Sequence, residues 1–284
     1  MNPRLAYVAA FLALGGLAPT ANARSAPTVA APSEADWRAP DPNNVLIIDT
    51  NKGRIVVELS PEVAPASVAQ VRDLAHAGFY DGQTFFRVID DFMDQTGDPT
   101  NTGQGGSTKP NLAGEFVFKR DGATPMEVLD QRGAKESGFI GVMPVISQPA
   151  ALAALMADHK VNAMVDFCPG VVGMARARDP DSGNSQFFLM RSAQATLNGQ
   201  YTAIGRVIAG MDVVRQIKTG EPVAPPQDKM LTVRVLADIP PAERPSVRVI
   251  DTRGPWFAAQ IARERAKKPV DISPCDLDIP SQVK

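Results

Sequence analysis

The chain has 284 residues, 44% of them hydrophobic and 21% charged, with a formal net charge of -2 at pH 7. That is the composition of an ordinary soluble protein of one large domain or two small ones, and it offers no basic stripe for nucleic acid. Two histidines and two well-separated cysteines leave no zinc centre and no C-x-x-C motif.

Residues 1–23 carry Arg4, an apolar run over 5–17 and the small-x-small site Ala21-Asn22-Ala23. This is the pattern of a secretory signal peptide cut after Ala23. The apolar run is shorter than the roughly 20 residues a membrane-spanning helix needs, so a soluble mature protein without stable membrane insertion is expected, periplasmic or secreted. Residues 24–43 are rich in Ala, Pro and Ser without periodicity and read as a disordered leader.

Two β-rich runs, 45–50 and 54–59, flank Asn51-Lys52-Gly53 and predict a hairpin. Pro65 opens an amphipathic pattern over 61–77 with Val68, Val71 and Leu74 on one face, and Gly78 stops it. The stretch over 79–98, FYDGQTFFRVIDDFMDQTGD, follows. A short strand over 84–89 is expected there, with period two placing Phe85, Arg87 and Ile89 on one face. A guanidinium among apolar neighbours requires acceptors. Asp90, Asp91 or Asp94 could supply them as a surface ion pair, or a ligand could.

The glycine-rich run 97–107 lacks the Gly-Lys-Ser/Thr of a phosphate cradle and reads as a turn. Beyond a short strand over 114–118, residues 119–165 are too long for a simple connection. They read as an insertion with partial structure and a helix over 150–158. Strands are expected over 170–177, 186–191, 201–208 and 230–239, with a second helix over 210–219. Residues 240–284 form a C-terminal extension with a β-like piece at 247–251 and a helix from Pro255, docked on the exterior of the main domain. Cys168 and Cys275 either close a disulfide that ties this extension to the body or remain separate thiols.

Two ordered motifs, FFRVIDDFMDQTGDP and GMARARDPDSGNSQFFLM followed by LNGQYTAIGRVIAGMD, resemble the signature segments of the cyclophilins, the peptidyl-prolyl cis-trans isomerases. The resemblance covers about 44–239 apart from the 119–165 insertion. It implies a mainly β fold: an eight-stranded antiparallel closed barrel capped by two helices, with a peptide site on its outer surface. It also implies that Arg87 is the catalytic residue, with Phe92, Met93, Gln95, Ala175, Arg176, Gln186, Phe188, Leu197 and Tyr201 binding substrate. The expected activity is rotation of Xaa-Pro bonds in exported proline-containing polypeptides, by a monomer without cofactor or metal. A non-catalytic chaperone or scaffold module that holds such chains is the alternative. Thr196 stands where many members carry a pocket-walling aromatic, Phe86 replaces a frequent histidine, Thr96 a glycine and Arg176 a common asparagine.

Overall fold

In a computed structural model of the chain, residues 30–268, 270 and 272–284 are described. The signal peptide expected over 1–23 lies outside them. The first described elements are β1 (Trp37–Arg38), β2 (Val45–Thr50), β3 (Gly53–Leu59), α1 (Pro65–His76), β4 (Arg87–Ile89) and β5 (Met93–Thr96). Next come β6 (Phe118–Arg120), β7 (Glu127–Arg132), β8 (Lys135–Ile140), β9 (Met143–Ser147) and β10 (Val161–Val165). The chain continues with β11 (Val171–Met174), β12 (Phe187–Met190), β13 (Ala203–Ala209), α2 (Met211–Gln216) and β14 (Met230–Val235), and ends in β15 (Val247–Ile250), α3 (Pro255–Lys267) and β16 (Ser281–Val283).

Eight of these strands form one antiparallel sheet in the order β14-β2-β3-β13-β11-β12-β5-β4. The sheet curls until its edges meet: Phe85 donates to Asp228 O at 2.9 Å and Met230 donates to Gln83 O at 2.9 Å, beside a Thr84 to Lys229 bridge. Residues 220–223 then cover the outer edge of β4, where Val88 and Gly220 exchange backbone hydrogen bonds at 2.8 Å and Val223 donates to Phe86 O. An edge strand is thereby protected. Leu46, Ile48, Ile55, Val57, Phe187 and Leu189 fill the interior, closed by α1 through Val68 and Val71 and by α2 through Val213 and Val214.

The strands read as continuous apolar runs because both faces of the sheet are covered. On β2, Leu46 and Ile48 point into the barrel while Val45 and Ile47 pack outward against Val247, Val249 and Leu236. The C-terminal extension therefore docks on the barrel exterior as expected, its β15 and β16 joined by β1 in a three-stranded sheet. That pairing corrects the reading of 24–43 as disordered: from residue 30 onward the segment is built in, with Trp37 opposite Ile250 and the Asp36 side chain accepting from Ser33. Alanine and proline content hid an aromatic anchor, the half-buried Trp37, packed against the cluster that holds Ile250 and Phe257.

The insertion forms a five-stranded sheet, β6-β10-β9-β8-β7. Its inner face packs Phe118, Val145, Ala163 and Val165 against Phe188 and Met190 of the barrel wall. The helix expected over 150–158 is instead a 3-10 segment, Ala150–Leu155, with no buried residue. Having no face to bury, it lacks the packing that supplies most helical stability in proteins. Cys168 and Cys275 are bonded, which fastens the extension beneath this second core. Among the described residues, no helix is long and apolar enough to cross a membrane.

Candidate active site

β4 and β5 form a tight pair in which Arg87 stands opposite Gln95, and Gln95 in turn stands opposite Phe188 on β12. Alternation on β5 sends Met93 and Gln95 outward and Asp94 and Thr96 inward. The strand expected over 84–89 begins only at Arg87. Phe85 consequently packs in the barrel interior beside Val88, on the face opposite Arg87. A period of two does not carry through the irregular residues 84–86.

The acceptor for Arg87 is none of the three nearby aspartates. Its Nε donates to Glu221 Oε1 at 2.6 Å, across 134 residues of sequence, because the 220–223 segment lies along β4. Asp90 and Asp94 are engaged by Arg191, which donates to Asp94 Oδ1 at 2.5 Å and to Asp90 Oδ1 at 2.7 Å. Arg191 also donates to the carbonyls of Val214 and Ile217 at the end of α2. Asp94 is fully buried, and burial lifts its carboxyl to about 7 against the opposing pull of Arg191. This pair anchors β5 to β12 and α2 from within.

On the outer face the arrangement is a relay of amides. Arg87 Nη1 donates to Gln95 Oε1 at 3.2 Å, and Gln95 Nε2 donates to Gln186 Oε1 at 2.9 Å. Gln186 Nε2 ends the relay on the carbonyls of Gly103 and Gly105, at 3.1 and 2.7 Å. The glycine-rich run thus serves the site by aiming two carbonyls. Its shape is set by the buried Asp98 carboxylate, which accepts from the backbone N–H groups of Thr100, Thr102, Gly103 and Gly105. A Cβ at Gly105 would stand 2.0 Å from Asp98 Oδ1, so the run must carry glycine there. Burial pushes the Asp98 carboxyl up, but these hydrogen bonds prevail and hold it below its ordinary value.

Beside the relay lies an apolar floor. Met93 at 1% exposure, Phe188 at 5% and Leu197 at 9% form its buried part, with half-buried Phe92, Ala175 and Tyr201 packed against them. The Arg87 guanidinium sits 6.0 Å from the centre of the Phe92 ring. Phe188 is held by Phe167 stacked at 6.1 Å and by the edge of Tyr201 at 5.9 Å. Gly173, opposite Phe188, makes room for its ring: a Cβ there would come within 2.4 Å of Phe188 Cζ. Arg176 lies with its guanidinium 4.5 Å from the Tyr201 ring and 5.5 Å from Phe116, donating to Gln200 O and Ala177 O. Thr96 is a regular strand residue whose hydroxyl donates to Thr84 O. Thr196 is exposed at the rim and Phe86 is buried under the glycine-rich run.

All ten residues singled out from the sequence therefore lie on one surface. Sequence reasoning missed Glu221, Asp98 and Phe167. Asp98 alone left a local signal, an aspartate heading a run of small polar residues and glycine, the composition of an Asx-type turn. Among the described residues Arg87 Nη2 has no hydrogen-bond acceptor, so the site presents a guanidinium donor beside an apolar floor.

Comparisons with known proteins bear on the family and the fold. The family model for cyclophilin type peptidyl-prolyl cis-trans isomerase/CLD matches residues 45–236. A probable peptidyl-prolyl cis-trans isomerase of Brucella suis is 35% identical over 193 residues, covering 64% of this chain and 75% of the relative. A peptidyl-prolyl cis-trans isomerase-like 1 protein of Rhizopus delemar is 31% identical over 172 residues, covering 61% and 78%. Among solved structures, the cyclophilin AquaCyp293 from Hirschia baltica is similar with a TM-score of 0.80 and 36% identity, covering 87% of this chain and 93% of that one. That likeness reaches beyond the residues the family model matches.

Proposed function

This chain belongs to the cyclophilin-type peptidyl-prolyl cis-trans isomerases, and we propose that Arg87 is the group through which it rotates Xaa-Pro bonds in exported polypeptides. The uncatalysed rotation must overcome amide resonance, a barrier of about 18 to 20 kcal/mol, and takes tens of seconds or longer. No bond is made or broken, so the catalyst needs neither nucleophile nor base; it must favour the twisted amide over both planar forms. Twisting makes the proline nitrogen pyramidal and returns its lone pair, and a donor aimed there stabilises that state alone.

The observation that carries the reading is the partnering of Arg87. Nε is held by Glu221 and Nη1 by Gln95, which fixes the plane of the fork, while Nη2 is left for substrate. The Gln95–Gln186 pair, oriented by the Gly103 and Gly105 carbonyls, stands ready to hold the peptide backbone. Phe92, Met93, Phe188 and Leu197 receive the proline ring and exclude water around the donor. A charged hydrogen bond contributes about 1.5 to 3 kcal/mol. Bringing tens of seconds to milliseconds takes roughly 5 to 6 kcal/mol, so fit of the hollow to the twisted geometry supplies the remainder.

Export to the periplasm or beyond rests on the sequence of residues 1–23 and is supported by the Cys168–Cys275 bond, since disulfides persist in oxidising compartments. A cell-fractionation experiment with mass determination of the mature amino terminus checks it; a chain retained whole in the cytoplasm refutes it. The isomerase mechanism is tested with a short proline peptide and the purified chain. Wild type should accelerate exchange, and Arg87→Ala should lose roughly tenfold to a hundredfold in kcat/KM with its fold intact. Wild-type turnover in Arg87→Ala would remove the guanidinium from the mechanism.

A further inference from the structure

The five-stranded sheet of the insertion has an inner face, buried against the barrel, and an outer face with two unlike halves. Over β7 and β8, Leu129 and Phe139 are covered by Phe257 and Ile261 of α3. Over β9 and β10 no such cover exists among the described residues: Ile146 and Met164, side by side in register, line a groove of about 380 Å³ with Val117 and Ala134. Val117 is 52% exposed. A solvent-facing apolar hollow of this kind marks a place where something binds.

Its position says what binds. The groove begins on the back of the turn that walls the proline hollow, for Met164 Sδ lies 3.2 Å from where a Cβ on Gly199 would stand. Gly199 lies between Leu197 and Tyr201, both lining that hollow. At the other border, Phe116 lies against the Arg176 guanidinium that covers Tyr201, and Val117 is the next residue. The groove and the candidate active site are thus two sides of one wall. A chain bound at the site and crossing the Leu197 to Tyr201 turn would meet the groove on its far side.

We propose that this groove is a second subsite for the same client polypeptide, holding apolar side chains a few residues from the Xaa-Pro bond while Arg87 acts on it. The inference rests on the isomerase reading. The client is then an extended, unfolded chain with apolar residues flanking its proline, rather than a folded protein with an exposed proline loop. Engaging both sites on one chain makes the second contact intramolecular, so long clients bind more tightly than short peptides without any change at Arg87.

The test compares wild type with Met164→Glu, and with Val117→Glu as an exposed-site variant should the first fail to fold. Three readouts are kcat/KM on a four-residue proline peptide, the rate of a proline-limited protein refolding reaction, and Kd for a carboxymethylated, permanently unfolded protein. Expected are peptide turnover unchanged within about twofold, and refolding catalysis and affinity for the unfolded chain lowered by roughly tenfold or more. Equal Kd and equal refolding catalysis in wild type and variants overturn the groove. So does a wild-type dimer in sedimentation that Met164→Glu dissociates, because a second copy then occupies it. Absence of peptide turnover in wild type defeats the isomerase reading instead, and the groove is still judged by the Kd comparison.

Discussion

Arg87 and Arg191 sit on opposite faces of the same pair of strands and do opposite work. Arg191 is 3% exposed and has every side of its fork used: two carboxylates and two carbonyls at the end of α2. Arg87 is 34% exposed, its partner Glu221 is 56% exposed, and one of its terminal nitrogens is unengaged. Burial with full satisfaction makes an arginine a clamp. Partial satisfaction at an apolar rim makes one a donor.

The contrast can be broken from either side. The largest effect is expected for Arg191→Ala, which leaves Asp94 buried without its counter-ion and should cost about 3 to 5 kcal/mol in a denaturant titration. A change under about 1 kcal/mol would show that the pair is not the clamp the geometry implies. Arg87→Lys keeps the charge but loses the planar fork, so it should recover only part of the peptide turnover lost in Arg87→Ala, with a stability change below about 1 kcal/mol. Full recovery would assign the effect to charge rather than to directed hydrogen bonds. Glu221→Ala removes an exposed ion pair and should cost activity only a few-fold, within about 1 kcal/mol, through a looser Arg87.

The smallest effect is confined to acid. Asp98 is held below its ordinary value when folded, so its contribution to stability is complete above the unfolded value of about 4 and is lost as pH falls through the folded one. The glycine-rich run should therefore loosen below about pH 4, seen as faster amide exchange at Gly103 and Gly105 before global unfolding. Asp98→Asn should loosen the run at neutral pH as well, and unchanged exchange in that variant would count against Asp98 as its organiser.

Legibility from the sequence followed the range of the interactions. The hairpin over 45–50 and 54–59 and the helix after Pro65 were readable because hydrophobic periodicity, turn glycine and proline are local signals. The insertion was readable as an interruption but not as a sheet: β7 to β10 are short, and Arg120 and Glu136 on β6 and β8 are buried because they pair with each other at 2.6 Å. Polar residues at such positions read as surface until the partner is known. The leader failed for a related reason, since Trp37 becomes an anchor only when β15, far along the chain, lies beside it.

What the sequence by itself determined is the set of candidate site residues: two motifs marked Arg87, Gln95, Gln186, Phe92 and Phe188, because order and spacing within each motif are local. What only the tertiary structure decided is how they are held. Glu221 reaches Arg87 across 134 residues, and the carbonyls of Gly103 and Gly105 orient Gln186 across more than 80. Met164 meets the back of the Leu197 to Tyr201 wall because two sheets pack together. Side-chain chemistry is written residue by residue. The angle at which a donor is offered, and the surface that continues beyond it, arise when distant segments pack.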